Sequence, residues 1–73
     1  MKKIITEKAN QLSSMYVTEN PINFTDSEIG YKYFVCFHNT HKIVKRCKTQ
    51  NELEMELDDI IANGASDNGC TFY

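Results

Sequence analysis

The chain has 73 residues, eight Lys and Arg against ten Asp and Glu, a formal charge of −2, 41% hydrophobic and 25% charged residues. That size holds one domain, and that balance excludes a charge-swollen disordered chain. No apolar run approaches the roughly 18 residues a membrane span needs. No secretory leader follows Met1, because polar residues come directly after Ile4-Ile5.

The first element predicted is a helix from Lys2 to about Val17. Ile5, Ala9, Leu12 and Met15 or Tyr16 recur at three-to-four spacing, and Pro21 forces an end near Asn20. Next, Ile22-Asn23-Phe24-Thr25 alternates apolar and polar, which predicts a short edge strand and a turn before Gly30. The alternative there is a helical turn opened by Thr25-Asp26-Ser27-Glu28, whose spacing fits a capping box.

Residues 31–48 carry the clearest β signal. Tyr31 to Phe37 is rich in aromatic and β-branched residues, Asn39-Thr40-His41 turns, and Lys42 to Lys48 runs back. A three-residue loop pairs Phe37 with Ile43 and Tyr33 with Cys47. It puts Tyr31, Tyr33, Val35, Phe37, Ile43 and Cys47 on one face. Phe34, Cys36, His38, Lys42, Val44, Arg46 and Lys48 fall on the other. A helix over 50–63 follows, with Thr49 as N-cap, Glu52 closing the box, Leu53, Leu57, Ile60 and Ile61 as its apolar stripe, and Gly64 as C-cap. Residues 64–73 read as a loop or flexible tail, although Cys70-Thr71-Phe72-Tyr73 can add a short strand.

These elements predict an α+β domain over residues 1–63. It consists of a helix, a two- or three-stranded antiparallel sheet and a second helix, with both helices on one face. The other face is then left partly bare, with Phe34, Cys36 and Val44 among cations. A second copy of the chain or a foreign protein would cover it.

Three cysteines are an odd number and, without a leader, read as free thiols in a reducing cytoplasm. Cys36, His38, His41 and Cys47 are the only candidate metal ligands, but their spacing fits no usual zinc pattern, so no metal or cofactor is expected. Cys36 and His38 are too far apart along a strand to act as a nucleophile and its base. No phosphate loop, dinucleotide fingerprint or nucleophile elbow is present, so an enzyme is not expected.

Charge is strongly polarised. Residues 1–50 hold all eight cations and four anions, whereas residues 51–73 hold six anions and no cation. Glu52, Glu54, Glu56, Asp58 and Asp59 share one helix. They form either a solvated face or an acidic surface that steers docking onto a basic partner. Phe34 and Arg46 are the expected anchors on the hairpin. The function this predicts is a small non-catalytic module that inhibits or regulates a larger protein, as products of phages and mobile elements do to host proteins. The alternative is a nucleic-acid-binding regulator using Lys42, Lys45, Arg46 and Lys48 among the hairpin aromatics. Against it stands an isoelectric point near 5.5.

Overall fold

A computed structural model describes residues 2–19, 24–66 and 70–72. The element order is α1 (Lys3–Asn10), β1 (Met15–Thr18), α2 (Phe24–Ile29), β2 (Tyr33–Phe37), β3 (Lys42–Cys47), α3 (Gln50–Asn63) and β4 (Thr71–Phe72). The four strands form one antiparallel sheet in the order β1-β2-β3-β4. The fold is α+β, with α1 and α3 on the same face of the sheet. Ile5 of α1 and Leu53, Leu57 and Ile60 of α3 pack in one cluster with Met15, Val35 and Cys47.

The N-terminal helix is shorter than the periodicity predicts, ending at Asn10 rather than near Val17. Ile5, Ala9 and Leu12 do lie at helical spacing. The chain then leaves the helix through turns closed by Leu12 N–H to Ala9 C=O and Met15 N–H to Leu12 C=O. Ser13 and Ser14 favour such turns because their hydroxyls compete for backbone groups. Tyr16, Val17 and Thr18 are all strand-formers. Met15 and Val17 pack with the helix-side cluster, whereas Tyr16 packs with the other. A period of two therefore took over where the helical stripe still matched.

The expected strand over residues 22–25 is also corrected. Phe24–Ile29 is helical, as the alternative reading has it, but Thr25 lies inside the helix rather than capping it, while Ile22 and Asn23 lie outside the described residues. Gly30, with φ of +98°, ends that helix in a conformation few other residues adopt. The third strand of the sheet is β1.

The hairpin forms, with Tyr33 opposite Cys47 as expected. Its far end differs: Cys36, not Phe37, lies opposite Ile43, because the register shifts between Val35 and Cys36. Val35 faces Lys45, so Val44 is the extra residue of a β-bulge. The bulge sends Val44 to the helix-side cluster and Ile43 to the opposite face. Deleting Val44 is therefore expected to leave a regular ladder with every other side chain on its present face. It should remove only the half-buried Val44 contacts, about 1 kcal/mol. Equilibrium denaturation checks this. A regular three-residue-loop hairpin would instead have its faces swapped by the deletion and would unfold.

The C-terminal helix matches its predicted limits. Glu52 N–H donates to Thr49 Oγ1 at 3.2 Å, Lys48 N–H donates to Glu52 Oε2 at 2.9 Å, and Gly64 N–H donates to Ile60 C=O at 2.7 Å with φ of +75°. Only Ile61 departs from its predicted stripe, being 39% exposed. At its end Thr71 and Phe72 pair with Ile43 and Lys42, so these residues extend the sheet as the strand alternative has it.

The face away from the helices is not bare. Phe34 and Cys36 are fully buried and Ile43 is 2% exposed, with Tyr16 and Tyr31 packed against them. The sheet thus carries an apolar cluster on each side. The expected opening for a second copy at Phe34, Cys36 and Val44 is closed within the chain itself.

Candidate interaction surface

Successive residues of a helix are turned by about 100° from one another. With Leu53, Leu57 and Ile60 buried, the opposite side of α3 is centred on Met55 and Ala62 and flanked by Asn51, Asp58 and Asp59. Met55 is 70% exposed, the most exposed of the large apolar side chains among the described residues. Ile61 and Glu54 lie on the flank toward α1, and Glu52 and Glu56 on the flank toward β3.

The carboxylates of α3 are not equivalent. Lys8 of α1 reaches across to Asp58 at 2.6 Å and to Glu54 at 3.4 Å. The hydrogen bond to Asp58, with help from Glu54 and against desolvation, raises the Lys8 pKa. Lys45 pairs with Glu56 at 3.2 Å. Glu52 serves the helix cap, and Asp59 accepts from Asn63 Nδ2 at 2.9 Å. Five carboxylates against three ammonium groups, counting Lys2 at Asn51, leave α3 with a net negative face. Around Met55, Asp58 is held by Lys8 and Asn51 accepts from Lys2 Nζ at 3.1 Å, so the negative charge there rests mainly on Asp59.

The other expected anchors are elsewhere. Phe34 is buried, so it offers no surface to a partner. Arg46 lies directly opposite Phe34 in the sheet and is half-buried. Alternation therefore puts it on the side away from the helices, and α3 and the Phe34–Arg46 pair do not form one surface.

The four cations of the nucleic-acid alternative are divided in the same way. Lys45 points to α3 through Glu56, Arg46 faces the other side, and Lys48 Nζ stands 5.7 Å from the Tyr31 ring centre on that side. Lys42 stands opposite Phe72.

Nor do the four candidate metal ligands converge. Cys36 belongs to the cluster on one face and Cys47 to the cluster on the other. Among the described residues no group of three or more His, Cys, Asp or Glu is placed to hold a metal ion. His41, at φ of +57° in the hairpin loop, instead meets Tyr16, with Nδ1 3.1 Å from the tyrosine oxygen; the His38 ring lies 5.0 Å from the Tyr16 ring. Burial pushes up the Cys36 thiol, against a hydrogen bond to Tyr16 and the charge of Arg46, so its protonated form is favoured over a thiolate nucleophile.

Among the described residues, two clefts lie beside the sheet. One of about 360 Å³ lies between Ser14, the hairpin loop at Asn39–Thr40 and Ala65–Ser66. The other, of about 310 Å³, lies between α1 and β1. Among the described residues no helix is long and apolar enough to cross a membrane.

The pairing of an exposed Met with surrounding acids was not singled out from the sequence, where Met55 is one apolar residue in an acidic run. Its signal is its position opposite the Leu53–Leu57–Ile60 stripe. No protein-family model, curated protein or solved structure matches the chain.

Proposed function

We propose that the chain is a small non-catalytic protein-binding module that inhibits or regulates a larger partner, and that it docks through the outer side of α3. The observation that carries this is Met55, held 70% exposed at the centre of a helix face bearing Asp58 and Asp59. A large flexible apolar side chain in water, beside the Asp59 carboxylate and on a helix of net negative charge, suits insertion into an apolar socket with a basic rim. The polarity of the chain supports the same reading, since a net negative helix steers toward cations. Proteins whose own sites are built for phosphates present such rims, and a phage or mobile-element product acting on one would occupy it by imitating phosphate charge.

The test is affinity capture from the lysate of the native host with and without nuclease, followed by titration of the purified partner against variants. Met55→Lys and Asp59→Lys are each expected to weaken binding at least about tenfold, near 1.4 kcal/mol. Arg46→Glu should leave it within about twofold. Binding indifferent to both α3 variants overturns the docking face. Capture that disappears with nuclease, together with loss on Arg46→Glu, replaces the reading with the nucleic-acid one.

A further inference from the structure

We infer that the chain forms a twofold dimer by antiparallel pairing of β1 with the same strand of a second copy, an interface independent of α3. The ladder fixes which backbone groups of β1 face outward. His38 N–H donates to Ser14 C=O at 2.9 Å, and Met15 to Thr18 pair in register with Phe37 to Phe34. Residues 14, 16 and 18 therefore direct their backbone groups at β2, and residues 15 and 17 direct theirs away from it. Met15 N–H is taken by Leu12 C=O at 3.2 Å. Val17 N–H, Val17 C=O and Met15 C=O face outward along an edge that no other described strand covers.

Met15-Tyr16-Val17-Thr18 contains no Pro, Lys or Arg, and the register with β2 runs without a bulge. Natural edge strands usually carry one of these devices when they must stay unpaired. The cleft beside it is lined by Thr6, Ala9 and Asn10 of α1, by Met15, Tyr16 and Val17 of β1 and by His38, with no Lys, Arg, Asp or Glu among them. Small and uncharged residues on α1 let a neighbouring backbone come close.

The charge distribution selects a second copy as occupant. A foreign partner guided by charge finds its complement at α3, and α3 packs over β2 and β3 rather than β1. Two copies meeting at β1 bring together the uncharged side chains of Met15 to Thr18 and keep their acidic helices apart. The geometry is self-complementary. With Val17 opposite the partner's Val17, each Val17 N–H donates to the C=O of the other copy. The twofold uses the β1 edge of both copies, so this contact closes at two subunits. A chain of this length is marginal alone, and oligomerisation is one of the ordinary supplements.

Sedimentation equilibrium of the full chain and of Val17→Pro tests this. Proline removes the outward N–H and is tolerated on an edge strand at such a position. The wild type is expected near twice the 8.4 kDa chain mass, and Val17→Pro near the chain mass. In the wild type, hydrogen exchange at the Val17 amide should slow as protein concentration rises. A wild type that stays monomeric at every concentration, or a dimer that persists in a folded Val17→Pro, overturns the proposal. If that variant fails to fold, the wild-type amide decides: exchange independent of concentration in a dimeric sample places the interface elsewhere.

Discussion

Phe34→Ala is expected to destabilise the domain by about 3–5 kcal/mol, enough to leave a large share of the molecules unfolded near body temperature. Phe34 is the largest fully buried side chain. It sits on the second sheet face with Cys36 and Ile43, under Tyr16 and Tyr31. Removing the fully buried ring leaves a cavity whose cost adds to the lost transfer energy. A domain of 73 residues has only about 4–11 kcal/mol to lose. Urea titration followed by far-ultraviolet circular dichroism measures the shift. A change below about 0.5 kcal/mol, the size typical of surface substitutions, would show that Phe34 is exposed in solution after all. The substitution also separates two roles: a surface anchor would lose partner affinity at unchanged stability, whereas a core residue loses stability first.

Phe34 also shows what a sequence leaves open. Alternation correctly puts Phe34 and Cys36 on the face opposite Val35, but says nothing about whether that face is covered. Coverage depends on Tyr16, and Tyr16 enters this cluster only because β1 exists. A helix extended to Val17 removes β1 from the sheet and uncovers the face. One boundary error near Asn10 therefore propagates into the expected bare surface and the choice of Phe34 as an anchor.

The bulge at Val44 is a second hidden feature. Ile43, Val44 and Lys45 read as plain alternation, and only the competition between burying Ile43 and pairing Lys45 with Glu56 resolves which residue is extra. By contrast, α3 was legible almost to the residue, because Thr49, Glu52 and Gly64 specify its ends by local chemistry that needs no distant contact. The acidic face was legible as composition. Its partition into Lys8-paired, Lys45-paired and cap-bound carboxylates was not, since Lys8 is far away in the chain and meets α3 only after folding.

Raising the pH from about 9 to about 11 is expected to remove about 2 kcal/mol of stability through Cys47 alone. Cys47 is fully buried in the helix-side cluster with Val35, Leu53 and Leu57. Burial is the chief cause that pushes its thiol up to about 11 from an ordinary value of 9.0; the carboxylates of Glu56 and Glu52 add to it, and Lys45 opposes them. Above pH 9 the unfolded chain loses this proton while the folded chain keeps it. The folded state then binds more protons, so stability declines as pH rises, and the decline levels off once the folded thiol ionises too. Below pH 9 both states hold the proton and the group contributes no slope. Cys36 is shifted in the same direction by its own burial, so the wild-type slope contains both thiols. Cys47→Ala isolates one of them. It lowers stability at neutral pH by the small volume it removes, yet its stability should fall less steeply between pH 9 and 11 than that of the wild type. Parallel slopes would mean that Cys47 reaches water in the folded protein, and that β3 does not close against α3 as described.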